Sequence, residues 1–151
     1  MKILLVEDEE TKRRQVMDLI SQKFSEFGID EAKSLNSGLR KIAGGAYDLV
    51  ILDMTMPTFD ITLDEDGGRP QAYGGRELLR HMAQRGIKTP VVLLTQFDRF
   101  GKEPDHRTIE ELDADLRREY GEAYLGFIRY NVAVETWRNE LSRTLRGLLK
   151  G

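Results

Sequence analysis

Short apolar runs alternate along this chain with longer segments that carry apolar residues at helical spacing, and this alternation constrains the fold most. Strong runs lie at residues 2–6, 49–52 and 89–95, and weaker ones lie near 29–33 and 124–130. The strong runs are apolar at consecutive positions, which is typical of strands buried on both faces of a parallel sheet. The pattern therefore predicts an α/β fold, a doubly wound five-stranded parallel sheet with helices on both faces.

Composition limits the classes of protein that this chain can belong to. Its 151 residues are 40% hydrophobic and 32% charged, as expected of one soluble globular domain with a real core. The first apolar segment is too short for a signal peptide, no run approaches a membrane span, and the absence of cysteine excludes disulfides and thiol chemistry. These features predict a cytoplasmic protein that is not bound to a membrane.

Charge argues against direct nucleic acid binding. The formal net charge is -3, and no run of Lys and Arg suggests a stripe that follows a phosphate backbone. The basic groups at residues 12–14 ("KRR") and 117–118 ("RR") are predicted to lie on solvated helix faces.

Charged and polar residues follow the strong runs directly. Glu7 and Asp8 follow the first run, Asp53 follows the second, Thr95 follows "VVLL" of the third, and Arg129 follows "LGFI" of the last weak run. Ligands of such a sheet bind outside the carboxyl ends of its strands. Clustered carboxylates need a neutralising cation, and all-oxygen ligands suit Mg²⁺, which points to phosphoryl chemistry. Taken alone, "VEDEE" could instead simply begin a helix, whose dipole favours negative charge.

Three of these segments resemble a known family. "ILLVEDEE", "DLVILDMTMP" and "VVLLT" are similar to the first, third and fourth strands of a two-component response-regulator receiver domain, and the resemblance spans nearly the whole chain. It implies a flavodoxin-like sheet with strand order 2-1-3-4-5. It also implies that Asp53 is the phosphoacceptor, that Glu7, Asp8, Asp53 and the backbone carbonyl of Thr55 hold Mg²⁺, and that Thr95 is the switch hydroxyl.

The second half of the chain departs from the family pattern. Arg129 stands where the family has Lys, and Tyr130 stands where it has Pro. Arg keeps the charge but presents a planar fork in place of a compact ammonium. Gln96 follows the switch hydroxyl where the family has a small residue. The family's switch aromatic has no clear counterpart: the position to compare is Gly126, with Phe127 and Tyr124 as neighbours.

Residues 1–151 are expected to form a single receiver-like domain with long insertions at about 58–74 and 96–122. Connections of this length are usually functional or disordered. The first insertion is a solvated flexible flap, a cover over the Asp53 pocket or a partner-docking element. The second enlarges the face that receivers normally use for signalling.

The resemblance implies a phosphoacceptor that takes a phosphoryl group from a sensor histidine kinase or phosphotransfer protein and acts on a separate output protein or a second copy of itself. Since the chain ends at Gly151 after its closing helix, no attached output domain is expected. The protein would be no enzyme beyond its own phosphorylation and dephosphorylation. The alternative is a pseudo-receiver, a phosphorylation-independent protein-binding module with a degenerate pocket. A phosphatase of the haloacid-dehalogenase type is disfavoured, because Thr55 stands where that family needs a second Asp.

Overall fold

The main sheet contains all five predicted strands. The computed structural model describes residues 1–57, 70–71, 73–97, 99–101 and 106–150. The strands of the sheet are β1 (Lys2–Val6), β2 (Gly28–Ala32), β3 (Leu49–Leu52), β4 (Val91–Thr95) and β5 (Tyr124–Arg129). Every neighbouring pair is parallel and the spatial order is β2-β1-β3-β4-β5. The predicted fold class and strand order are therefore confirmed.

Five helices cover the two faces of this sheet. They are α1 (Glu10–Lys23), α2 (Leu35–Gly44), α3 (Gly74–Gln84), α4 (Ile109–Tyr120) and α5 (Thr136–Lys150), with a 3₁₀ turn at Gly121–Ala123 after α4. Two of them begin with reciprocal capping boxes, Ser34 with Ser37 at α2 and Thr108 with Glu111 at α4. Each box satisfies backbone N–H groups that the first turn of a helix leaves without partners.

The core has two layers, one on each face of the sheet. Helices α2, α3 and α4 pack one layer through residues that include Ile42, Leu78, Met82, Leu112 and Leu116. Helices α1 and α5 pack the other through residues that include Val16, Ile20, Trp137, Leu141 and Leu145. Strands β1, β3 and β4 contribute to both layers, because alternate side chains of a strand point to opposite faces. Burial on both faces explains why their sequences are continuously apolar.

Two short antiparallel pairs lie in the connections that the sequence predicted to be long insertions. Met56–Pro57 pairs with Pro70–Gln71, and Arg99–Phe100 pairs with Arg107–Thr108. Within these insertions, residues 58–69, 72, 98 and 102–105 lie outside the described residues, whereas Ile109–Tyr120 of the second insertion form helix α4. The predicted roles of these insertions therefore stay predictions.

None of the helices in the described part of the chain combines the length and the hydropathy that crossing a bilayer requires.

Candidate functional site

The carboxyl ends of β1, β3 and β4 meet at one edge of the sheet. Val6 pairs with Leu52, and Leu52 pairs with Leu93, so the residues that follow these positions emerge side by side. Glu7, Asp8 and Asp53 each bring a carboxylate oxygen to this edge, and the three oxygens lie within 4.8 Å of one another. The predicted gathering of the three acids at the strand ends is thus found in the structure.

These acids differ in how far they are removed from water. Glu7 is 1% exposed and Asp53 is 5% exposed, whereas Asp8 as a residue is exposed. Burial raises the pKa of Glu7 well above its ordinary value; the ammonium of Lys12 opposes the rise, and the neighbouring carboxylates of Asp53 and Asp8 add to it. Desolvation of the Asp8 carboxyl group likewise raises its pKa. The cluster therefore holds more negative charge than its surroundings favour, and it attracts cations.

A cation from helix α1 lies among these acids. The ammonium of Lys12 is 2.7 Å from Glu7 Oε1 and 3.2 Å from Asp53 Oδ2, and its Nζ also donates to the backbone carbonyl of Leu94. Lys12 is 1% exposed. The prediction that the whole "KRR" group lies on a solvated face is therefore wrong for Lys12, although it is right for Arg14, whose side chain is 71% exposed.

Helix geometry explains how Lys12 reaches the sheet. Glu9 caps α1, and its side chain accepts the backbone N–H groups of Thr11 and Lys12. Three residues separate the end of β1 from the start of the helix, so its first turn lies over the strand ends. The burial of Lys12 could have been predicted from the spacing of apolar residues. Lys12 lies four residues before buried Val16 and therefore on the same face of the helix. "VEDEE" thus begins a helix and also supplies two acids to the cluster.

The carboxylate of Asp53 is held in a fixed orientation. Its Oδ1 accepts the backbone N–H of Met54 at 2.7 Å, while Oδ2 is the oxygen that faces Lys12. Helix α3 approaches the same turn, since the backbone N–H of Gly75 donates to the carbonyl of Met54 at 2.8 Å. One oxygen of Asp53 is thus bound by the backbone and the other faces the ammonium.

Two predicted site residues lie on the strand-end turns. Thr95 is completely buried at the end of β4, and its hydroxyl accepts the backbone N–H of Phe97 at 3.4 Å. Thr55 is half-buried in the turn after Asp53. Their roles, a switch hydroxyl and a carbonyl ligand, stay predictions. The side chains of Gln96 and Phe97 are exposed.

Arg129 is the last residue of β5, as the sequence predicted, and it pairs with Thr95 of β4. Its guanidinium pairs with Glu110 on α4 and lies 5.8 Å from the centre of the Phe127 ring. The side chain is 50% exposed. Its role as the cation of the pocket stays a prediction, and among the described residues it is Lys12 whose ammonium contacts Glu7 and Asp53.

Tyr130, at the position where the family has Pro, packs against Lys12. Its ring centre lies 5.5 Å from Lys12 Nζ and 5.1 Å from the centre of the Trp137 ring. Its hydroxyl donates to Gln15 Oε1 at 2.6 Å, so the ring is fixed at both ends. An aromatic face beside an ammonium is itself attractive.

Gly126 has a backbone conformation that suits glycine. Its φ is +110°, and a Cβ atom added there would lie 2.7 Å from Arg117 Nη2. The space next to this position is thus taken by the guanidinium of Arg117, which also lies 5.7 Å from the centre of the Tyr124 ring. Glycine therefore suits this position both for its backbone conformation and for the space beside it.

The donor set fits Mg²⁺. All three side chains offer oxygen, the ligand atom that this ion prefers, and the carboxylates outnumber the single ammonium of Lys12. With all four groups ionised, three negative charges and one positive charge leave an excess that one divalent cation would balance. Receiver domains generally bind Mg²⁺ at an acidic pocket, and Glu7, Asp8 and Asp53 form such a cluster here.

Fold and site together define a class of protein: a five-stranded parallel α/β domain with an acidic pocket at the carboxyl ends of its strands. A sequence model of the family described as "Response regulator receiver domain" matches residues 3–115. The chain belongs to this family, and it is the receiver domain of a two-component response regulator.

Relatives extend the likeness beyond the matched segment. The Detocs response regulatory protein DtcB of Enterobacter cloacae (strain JD6301) is 28% identical over 151 residues, which cover 98% of this chain and 100% of that protein. The uncharacterized protein y4jR of Sinorhizobium fredii (strain NBRC 101917 / NGR234) is 31% identical over 144 residues, 93% of this chain and 94% of that protein. Both alignments include the second half of the chain, where the family pattern is weakest.

Solved structures agree on the fold. The response regulator protein TrrA from Thermotoga maritima, determined in complex with Mg²⁺–BeF, superposes with a TM-score of 0.62 at 21% identity, covering 97% of each chain.

Proposed function

We propose that this receiver is a phosphoacceptor in which Asp53 takes a phosphoryl group in a Mg²⁺-dependent reaction and thereby alters a protein-interaction face. The observation that carries the proposal is the placement of Asp53, a nearly buried carboxylate with two further acids and one ammonium around it. A carboxylate is a useful nucleophile when neighbouring positive charge stabilises the group being transferred.

The residues around Asp53 would have different roles in such a transfer. Glu7 and Asp8, with Asp53 and the carbonyl of Thr55, are the groups that would hold Mg²⁺. Bound there, the ion would supply positive charge beside the transferring phosphoryl oxygens. The backbone N–H of Met54 orients Asp53 through Oδ1. The hydroxyl of Thr95 would then turn from Phe97 N–H towards the new phosphoryl oxygens, and this local change would bias a two-state element.

Membership of the family implies partners of two kinds: a histidine kinase or phosphotransfer protein that supplies the phosphoryl group, and an output effector. We propose that the protein catalyses nothing beyond its own phosphorylation and dephosphorylation. The name of DtcB, a response regulatory protein similar along its whole length, and the Mg²⁺–BeF complex of TrrA support the proposal of a Mg²⁺-dependent phosphoacceptor.

The test is phosphorylation by a small donor. Incubation with acetyl phosphate and Mg²⁺ should add one phosphoryl group to the intact protein, measured by mass spectrometry, and Asp53→Asn should prevent it. Asp18→Asn is the matched control, because Asp18 is an exposed acid on α1. If Asp53→Asn is labelled at the rate of the wild type, Asp53 is not the acceptor.

A second candidate function is a pseudo-receiver that binds partners without phosphorylation. The observation in its favour is Lys12, whose ammonium places a positive charge beside both Glu7 and Asp53. Such a pocket would bind Mg²⁺ weakly and would not respond to beryllofluoride, a mimic of the phosphoryl group. Calorimetric titration with Mg²⁺, followed by beryllofluoride, separates the two functions.

A further inference from the structure

Lys12 is a buried lysine, and removing its charged ammonium from water costs free energy. Its ammonium is 1% exposed, and moving such a charge out of water needs compensation by paired charges and hydrogen bonds. The compensation comes from Glu7, Asp53 and the carbonyl of Leu94, which all belong to the strand-end cluster. The charge of Lys12 is therefore tied to this pocket.

The two ion pairs of Lys12 are of different length. The contact with Glu7 is 2.7 Å, whereas the contact with Asp53 Oδ2 is 3.2 Å. Glu7 and the Leu94 carbonyl thus hold the ammonium in place, and Asp53 is the more loosely bound partner. A phosphoryl group attached to Asp53 would adjoin this ammonium, because the acceptor carboxylate is already in contact with it.

Aromatic packing limits where Lys12 can go. The Tyr130 ring lies 5.5 Å from Nζ, and that ring is itself held by Trp137 and by its hydrogen bond to Gln15. A charge that is fixed before the reaction stabilises a transition state without the cost of reorganisation.

The cation at the end of β5 is far more exposed than Lys12. The guanidinium of Arg129 pairs with Glu110 on α4, and half of its side chain is exposed. Since the screening of exposed charges by water is strong, a group in this environment contributes little to a buried pocket.

We propose that Lys12 is the catalytic cation of the phosphoryl pocket, in place of the cation at the end of β5; this rests on the proposed function. In the step with acetyl phosphate, a bond forms between an Asp53 carboxylate oxygen and phosphorus. The bond between phosphorus and the acetate oxygen breaks, and its electron pair leaves with acetate. The ammonium of Lys12 stabilises the phosphoryl oxygens during the transfer and keeps all its protons.

The experiment compares phosphorylation rates at saturating Mg²⁺ and acetyl phosphate, together with Mg²⁺ affinity. Lys12→Met should slow phosphorylation by about a hundredfold, the loss typical of one removed charge-stabilising donor. Lys23→Met is the matched control, since it makes the same change at an exposed position of the same helix.

The outcomes separate the hypotheses. If Lys12→Met is phosphorylated at the wild-type rate while Arg129→Met is slow, Arg129 is the catalytic cation and the inference is wrong. A wild-type protein that is never phosphorylated contradicts the proposed function itself. If Lys12→Met merely binds Mg²⁺ more tightly at an unchanged rate, Lys12 acts only as a neutralising charge, which also overturns the inference.

Lys12→Met leaves Glu7 and Asp53 without their ammonium, so folding must be checked. The single tryptophan, Trp137, is buried beside Tyr130, and its fluorescence reports on this core. Should Lys12→Met fail to fold even with Mg²⁺, Lys12→Arg takes its place, since it retains the charge. A role in catalysis predicts that Lys12→Arg folds but reacts roughly tenfold more slowly, because the planar guanidinium cannot reproduce the contacts of the ammonium. A wild-type rate for Lys12→Arg would overturn the inference.

Discussion

Gly75 at the start of α3 and Asp53 at the end of β3 are in such close contact that a Cβ atom on Gly75 would lie 2.7 Å from the Asp53 carbonyl oxygen. The same atom would be 3.0 Å from Met54 Cα. Both neighbours are backbone atoms, so neither can move without displacing the turn that carries the acceptor carboxylate. The absence of a side chain at Gly75 is therefore a requirement of the site.

Gly75→Ala should destabilise the fold by roughly 1–3 kcal/mol, as overpacking of a close-packed contact does, and it should slow phosphorylation of Asp53. Urea unfolding and labelling with acetyl phosphate measure the two effects. Gly147→Ala is the control: it lies on α5, where a Cβ atom meets nothing within 4 Å. That change should stabilise the protein by up to about 1 kcal/mol. Equal stability of Gly75→Ala and the wild type would show that the turn at Asp53 can shift to accommodate the added methyl group.

Asp8→Asn should have opposite effects on metal binding and on the metal-free protein. It removes one carboxylate of the cluster, so the loss of Mg²⁺ affinity should exceed the roughly tenfold loss that changes outside the ligand shell cause. Without metal the variant should be slightly more stable, because the raised pKa of Asp8 shows that its ionised form is disfavoured in the fold. Titration calorimetry and urea unfolding test the two signs, with Asp18→Asn as the control. Unchanged Mg²⁺ affinity would remove Asp8 from the ligand set.

Tyr47→Phe should reduce stability in a manner that depends on pH. The Tyr47 hydroxyl donates to Asp30 Oδ2 at 2.7 Å, and this bond, with the help of Lys2, holds the pKa of Asp30 below its ordinary value of 3.8. A carboxyl group whose pKa is lowered by folding stabilises the fold at pH values above its ordinary pKa. This contribution is lost as the pH falls through the lowered pKa.

The difference in unfolding free energy between wild type and Tyr47→Phe should therefore shrink between pH 7 and about pH 3. NMR titration should show the pKa of Asp30 moving back up in the variant. A double-mutant cycle with Asp30→Asn isolates the pair from the Lys2 contact, whose length is 3.3 Å. A difference that persists at low pH would mean that the bond does not depend on ionised Asp30.

Gly126→Ala should cost about 1–2 kcal/mol, the strain of a non-glycine residue in a left-handed backbone region. At a φ of +110° the strain exists whatever space surrounds the side chain. The contact with Arg117 should contribute less to the loss of stability, because the end of a long flexible side chain can move. We therefore expect Gly126→Ala to remain costly in an Arg117→Ala background, as measured by urea unfolding. Full recovery in that background would assign the effect to the contact alone.

Most of the fold was predictable from the sequence, as was the set of acids at the site. Continuous apolar runs identify strands that are buried on both faces, and parallel strands end at the same edge of a sheet. The positions of Glu7, Asp8 and Asp53 relative to these runs were thus enough to bring the three carboxylates together. The strand order came from the resemblance to the receiver family, and the structure confirms it.

The cations of the site were not predictable in this way. Lys12 and Arg14 belong to the same basic group in the sequence, yet one is buried at the pocket and the other is 71% exposed. Arg129 reaches the expected strand end, but its guanidinium pairs with Glu110 on α4.

What the sequence by itself determined is which residues end the strands, because apolar periodicity and chain order fix that placement. The tertiary structure alone decided where the long basic side chains go. Their direction depends on how α1 and α4 pack over the sheet and on which acids those helices bring within reach. The same packing decided that α3 passes close enough to Asp53 to require glycine at position 75.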